Sequence, residues 1–241
     1  NTTFVKPGDT GVITWPIIGE QDSVFTIEGV RATVEAPACF IDTNKSQRQP
    51  LPVAAGQTQN IRIEYKIADD AQDGPCNATL HLTMDKPNVA ATIRSAQVDF
   101  LIDRTPPEIL RARVLPNPTG INPYIRAYVS DLYSNIAQAE FRVNGHTYPM
   151  GAMDGEFDSH AERVQGIIDI SGLPEDEYTT KIRAKDAVGN WSDWRPVTFT
   201  VDRTPPVISE VRILRNPTDR NTKLMAMLTD ARSNIGGAEF Y

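Results

Sequence analysis

The stretch DRTPPEILRARVLPNPTGINPYIRAYVSDLYSNIAQAEFR, residues 103–142, returns as DRTPPVISEVRILRNPTDRNTKLMAMLTDARSNIGGAEFY over residues 202–241. The two align without a gap at an offset of 99, and 20 of the 40 positions are identical. The shared text includes Asp103 to Pro107 with Asp202 to Pro206, Asn117 to Thr119 with Asn216 to Thr218, and the pattern D..SNI..AEF from Asp131 and from Asp230. Solenoid units that need their neighbours run to roughly 20–45 residues, whereas a period of about a hundred is the size of one complete β-sandwich. The chain therefore reads as domains in series.

Within the complete copy, apolar residues recur at every second position in short runs: Ile125, Ala127 and Val129; Ala139, Phe141 and Val143; Tyr178, Thr180, Ile182 and Ala184; Val197, Phe199 and Val201. That period marks half-buried strands, and Asn144-Gly145, Asp154-Gly155 and Gly189-Asn190 supply the turns between them. The first hundred residues alternate too, as in Ile61, Ile63, Tyr65 and Ile67, and in Ala78, Leu80, Leu82 and Met84. No window carries a helical stripe. The predicted class is all-β.

The run Leu173 to Tyr178, followed by Ile182, Arg183, Ala184, Asp186, Gly189 and Asn190, resembles the E-to-F corner and F strand of fibronectin type III and related Ig-like surface domains, with Tyr178 as the corner tyrosine. The DRTPP start with the later DAVGN resembles Ig-like repeats of prokaryotic cell-surface and S-layer-associated proteins. Residues 1–102 lack both marks. Their order KPGDT, EGVRATVEAP, AAGQTQNIRIEYKI and ADDAQDGPCNATLHLTM is similar to cell-adhesion-related, S-layer-associated β-sandwich domains, with Cys76 in place of the commoner aromatic or aliphatic residue. The resemblance implies tandem Ig-like sandwiches: 1–102, 103–201, and 202–241 as an incomplete repeat. Forty residues bury too little to stand alone, so either the parent chain continues past Tyr241 or a strand from another subunit completes the sheet.

Composition removes several functions. Among 241 residues, 24 Lys and Arg stand against 31 Asp and Glu, a net charge of −7, with no basic cluster of the kind nucleic acid demands. No apolar run reaches the roughly 18 residues of a membrane span. The sequence begins at Asn1 with no basic-plus-apolar leader, so any secretion signal is expected to have been cleaved or to lie outside this stretch. His81, His146 and His160 stand apart in sequence, and there is no HExxH, GxSxG or phosphate loop, so no catalysis is expected.

The pair Cys39 and Cys76 is too widely spaced for a CxxC motif. Bonded, it would tie two strand ends of the first sandwich and place the chain in an oxidising compartment; the other reading is two buried thiols. Sequons at Asn1, Asn44, Asn77 and Asn190 are candidate glycosylation sites.

In an Ig-like sandwich, Asp103, Asp131, Asp186 and Asn190 would converge where the first domain hands over to the second. Four oxygen donors suit Ca²⁺, and each also suits a local turn cap. Asp202 and Asp230 would repeat the device. Asp154, Glu156 and Asp158 offer a second acidic face or a solvated hairpin, while Trp191 and Trp194 with Tyr124, Tyr128 and Tyr133 offer a saccharide platform or ordinary packing. Pro106-Pro107 and Pro205-Pro206 fix φ and make each junction a semi-rigid spacer.

The expectation is an extracellular, cell-surface spacer or adhesion segment, possible partners being copies of itself, other surface proteins or glycans. The alternative is an accessory carbohydrate- or ligand-binding region of a larger secreted enzyme.

Overall fold

Alternation of apolar and polar side chains becomes alternation between core and solvent in both sandwiches of the computed structural model, which describes residues 2–19, 27–49, 51–86, 89–215, 217 and 221–240. The chain is all-β, an Ig-like sandwich fold: among the described residues the only helical segment is a single 3₁₀ turn at Lys45–Gln47, and no helix is long and apolar enough to cross a membrane.

The first sandwich is built from β1 (Thr3–Val5), β2 (Thr10–Ile18), β3 (Ile27–Glu35), β4 (Phe40–Asp42), β5 (Leu51–Val53), β6 (Thr58–Ile67), β7 (Gly74–Lys86) and β8 (Val89–Ile102). One sheet runs β1-β8-β7-β3-β5, with β1 parallel to β8; the other runs β2-β6-β4. Ile61, Ile63 and Ile67 of β6 meet Ala78, Leu80 and Leu82 of β7 in one apolar cluster, while Arg62 and Glu64 face water. Cys76 near the start of β7 is bonded to Cys39 just before β4, with Cα atoms 6.1 Å apart, so the bridge joins the two layers. Phe40 stacks on Tyr65 beside it, with centroids 5.2 Å apart.

The second sandwich comprises β9 (Glu108–Leu115), β10 (Tyr124–Ser130), β11 (Ile136–Val143), β12 (His146–Ala152), β13 (Ala161–Ile167), β14 (Glu177–Asp186) and β15 (Arg195–Thr200). Its strand order is β15-β14-β11-β12-β13-β10-β9. β12 pairs with β11 up to Met150 and with β13 from Gly151, so one strand passes from one layer to the other. Asn144 and Gly145, at φ 47° and 81°, make the two-residue left-handed turn that the Asn-Gly pair favours, and Val143 pairs with His146 across it. A Cβ on Gly166 of β13 would lie 2.6 Å from the ring of Phe141 of β11, so glycine there lets the layers approach. The core is separate from the first, and includes Ile125, Val129, Phe141, Ile182 and Phe199.

Two sequence motifs find structural uses here. The Tyr178 hydroxyl donates to the Pro174 carbonyl at 2.9 Å, fixing the corner ahead of β14. Asn117 and Thr119 grip the end of β15, the Asn117 Oδ1 accepting from the Thr200 amide and the Thr119 amide donating to the Thr200 carbonyl, both at 2.9 Å.

The partial repeat forms only the hairpin β16 (Val207–Ile213) and β17 (Leu224–Thr229). Its apolar positions lie open. Ile208 is 61% exposed where its counterpart Ile109 is 5%, and Leu224 is 47% exposed where Ile125 is 0%.

By its internal contacts the chain divides into two compact units. One holds Asn1–Pro106 together with the loops Asp131–Asn135 and Asp186–Asn190; the other holds the rest, including β16 and β17. The division falls between Pro106 and Pro107.

Candidate cation site

Three chain segments of the first unit bring Asp103, Asp131 and Asp186 together, one carboxylate oxygen of each lying within 4.8 Å of the others. Asp103 follows β8, Asp131 follows β10, and Asp186 ends β14. They are 0%, 8% and 1% exposed.

Backbone turns set each side chain. Asp103 Oδ1 accepts from the Thr105 amide at 3.0 Å, and its Oδ2 from the Ser134 hydroxyl at 2.5 Å. Asp131 Oδ1 accepts from the Tyr133 and Ser134 amides, both at 2.9 Å. Asp186 Oδ1 accepts from the Gly189 and Asn190 amides at 2.5 and 2.7 Å. These are Asx turns, which Asp favours because its short side chain reaches the amides two to four residues on. Turn capping thus accounts for one oxygen of each residue. It leaves the Asp131 Oδ2 buried with no hydrogen-bond partner.

Three buried carboxylates repel one another, and among the described residues no Lys, Arg or His forms an ion pair with any of them. Burial pushes the Asp103 carboxyl above the usual carboxylate range, and the Asp131 and Asp186 charges push the same way; the Ser134 hydroxyl and Thr105 amide oppose them. A hard cation would relieve the repulsion and satisfy the orphan oxygen, and Ca²⁺, with six to eight oxygen ligands, matches such a donor set. Asn190 reaches the cluster through its amide nitrogen, which donates to Asp186 Oδ2 at 2.7 Å and to the Asp103 carbonyl at 3.3 Å. As a ligand it would have to turn its oxygen inward.

At Asp202 and Asp230 the same turns form, with both residues only half-buried. The Thr204 amide donates to Asp202 at 3.2 Å, and the Arg232 and Ser233 amides donate to Asp230 at 2.9 and 2.7 Å. Those two amides hold the Asp230 carboxyl below its usual value.

A feature not anticipated from the sequence accompanies the repeat. The Arg104 amide and the Thr105 hydroxyl both donate to Asp73 at 2.7 Å, on the corner ahead of β7. The Arg203 amide donates to Glu175 at 2.7 Å and the Thr204 hydroxyl to the same carboxylate at 2.9 Å, on the corner ahead of β14. Arg203 also donates to the Leu173 and Ile170 carbonyls at 2.9 and 2.6 Å. Each DRTPP linker is thus pinned to the sandwich it leaves. The readable signal was the identical Arg-Thr pair together with an acid just before each corresponding strand.

Other candidates fare differently. The side chain of Asn44 is buried, donates to the Arg62 carbonyl at 3.1 Å and accepts from the Glu64 amide at 3.1 Å. Asn190 is engaged with Asp186, Asn77 is exposed on β7, and Asn1 lies outside the described residues. Asp154 and Asp158 approach Glu162 rather than Glu156, and Glu162 accepts from the Asp158 and Ser159 amides at 3.3 and 3.0 Å, ordering the loop between β12 and β13. The five aromatics are spread over separate elements: Tyr124 and Tyr128 project from β10, Trp191 and Trp194 follow β14, and Tyr133 sits in the 131–135 loop.

No family model matches the chain, and no curated protein does. Solved structures do. The chain is similar to dimeric latent PorU from Porphyromonas gingivalis, at 14% identity and TM-score 0.33, covering 94% of this chain and 25% of that one. It is also similar to the fibronectin(III)-like modules of Clostridium thermocellum CbhA, at 14% identity and TM-score 0.33, covering 83% and 89%. A third is the sialic acid binding region of a Streptococcus sanguinis SK1 adhesin, at 10% identity and TM-score 0.22, covering 83% and 76%. The chain spans a quarter of the PorU structure. At such identities and TM-scores these likenesses carry no argument about function, and the Ig-like description rests on strand order and core.

Proposed function

We propose that this chain is a non-catalytic, extracellular spacer segment of a surface protein, whose junctions are stiffened by linker clamps and by Ca²⁺ held between Asp103, Asp131 and Asp186. The single observation that carries the reading is the recurring clamp: Asp73 and Glu175 each hold the Arg amide and Thr hydroxyl of the following linker. A flexible tether needs no such bonds. Pinning the exit of each sandwich, ahead of a Pro-Pro pair that restricts φ, gives the chain a fixed departure direction at each repeat.

Calcium would act on the same segments. Its charge offsets the mutual repulsion of three buried carboxylates, and its ligation ties residue 103 to the 131–135 and 186–190 loops. The disulfide supports an oxidising compartment.

Solution scattering is the test of stiffness. The protein should give a distance distribution with a sharply defined maximum dimension, and Asp73→Ala with Thr105→Val should broaden it; a wild-type profile of freely jointed beads would refute the spacer. Calorimetric titration tests the metal separately, with one Ca²⁺ expected at the triad and a melting midpoint that falls on chelation. An identical midpoint with and without chelator would remove calcium from the reading.

A further inference from the structure

On β14 the outward residues are Glu177, Thr179, Lys181, Arg183 and Lys185, alternating with the buried Thr180, Ile182 and Ala184. β11 adds Glu140 and Arg142 beside them, and the segment leading into β15 adds Trp191 and Trp194. Arg183 lies over both indoles, 4.2 Å from the centroid of Trp191 and 4.5 Å from that of Trp194, and is held by Glu140 at 2.6 Å. Arg142 stands 5.9 Å from the Trp194 centroid on its own account. Arg142, Lys181, Arg183 and Lys185 thus share the face with two carboxylates, Glu140 and Glu177, on a protein whose net charge is −7. Among the described residues neither Arg142 nor Lys181 forms an ion pair.

These two unpaired cations line an open depression of about 180 Å³ with Asn144, Gly145, Thr179 and Trp194. The space is below the roughly 300 Å³ at which drug-sized pockets begin, so it suits one ring rather than an extended ligand. An indole offers an apolar face to the C–H side of a ring, a guanidinium fork matches a carboxylate, and the Asn144 amide and Thr179 hydroxyl can exchange hydrogen bonds with ring hydroxyls.

We propose that this depression binds a saccharide ring bearing a carboxylate, with Arg142 and Lys181 taking the acid, Trp194 the ring face, and Asn144 and Thr179 the hydroxyls. A neutral sugar would leave both cations unused. A single-stranded nucleic acid needs a groove tracking several phosphates, which this acidic chain does not offer. The site is independent of calcium and of the linker clamps, so it stands or falls apart from the spacer reading.

The test is an NMR titration of the whole chain with sialyllactose, with a glucuronic acid-terminated disaccharide, and with lactose as the neutral control. Either acidic sugar should move the Trp194 indole and Gly145 amide signals, and whichever saturates first identifies the source of the acid. Lactose should bind at least about tenfold more weakly, and Arg142→Gln should weaken the acidic sugar about tenfold, as loss of one charge-assisted hydrogen bond implies. Arg111→Gln, an exposed change on β9, should leave affinity untouched. The proposal is overturned by equal binding of lactose, by unchanged affinity in Arg142→Gln, by no shift at about 20 mM sugar, a free energy of binding too small to count as recognition, or by oligothymidylate displacing the sugar from the same signals.

Discussion

Residues 103–142 and 202–241 share half their letters and fold into the same local turns, yet end in opposite environments. Asp103 and Asp202 each accept from the Thr two residues on, and Asp131 and Asp230 each accept from two successive amides. In the first copy β9 and β10 lie in a seven-stranded array over a filled core; in the second, among the described residues, β16 and β17 pair only with each other. Turn geometry is therefore a short-range property of D.T and D..SN. Burial, and the electrostatic cost of burying a carboxylate, comes from segments elsewhere in the chain: it raises the Asp103 pKa, while half-buried Asp230 is held low by its two amides.

Hydrogen exchange should separate the copies most widely. Amides of β10 should open only with global unfolding and those of β17 by local fraying, a protection difference of about a thousandfold or more, since a two-stranded hairpin is marginal in water. Comparable protection would mean that the hairpin is covered in solution. In urea unfolding, Ile125→Ala should cost about 2–5 kcal/mol, whereas Leu224→Ala at the matching position should stay within about 0.5 kcal/mol. Equal costs would erase the distinction.

Calcium offers a third contrast. At a hundredfold excess over its dissociation constant a ligand stabilises by about 2.7 kcal/mol; Asp131→Asn, which keeps the turn but loses the charge, should abolish that gain, and Asp230→Asn should not. Thr105→Val, measured in the same way, should lose about 1 kcal/mol with the clamp bond to Asp73.

The smallest effect is on pH. Asp103 has a raised pKa in the folded chain, so its contribution to stability is complete below the unfolded carboxylate value and is lost as pH rises through the folded one. Chelated protein should therefore lose part of its stability above that ordinary value, and Asp103→Asn should flatten that part of the profile. A slope unchanged in Asp103→Asn would assign it to other groups.

The fold was legible because period-two alternation and a gapless repeat are short-range signals. Ile125, Ala127 and Val129 had to face one way on a strand, and the Asn144-Gly145 turn had to reverse it. Convergence of Asp103, Asp131 and Asp186 was also legible, since loop position in an Ig-like sandwich follows from strand order. What the sequence did not announce depends on contacts across the fold. Asn44 is buried among bonds to Arg62 and Glu64, 18 and 20 residues on, and a sequon pattern carries no trace of it. The Asp131 orphan oxygen and the placement of Arg183 over two indoles are likewise tertiary facts.

The covalent link between Cys39 and Cys76 has a consequence under load. A separation of 37 residues, at roughly 3.3–3.6 Å of fully extended chain each, amounts to about 120–130 Å of contour that pulling on the ends cannot draw out. An oxidised molecule stretched until its first sandwich gives way would lengthen by that much less than a reduced one, so the redox state of the surroundings sets how far the strand can yield before it goes taut.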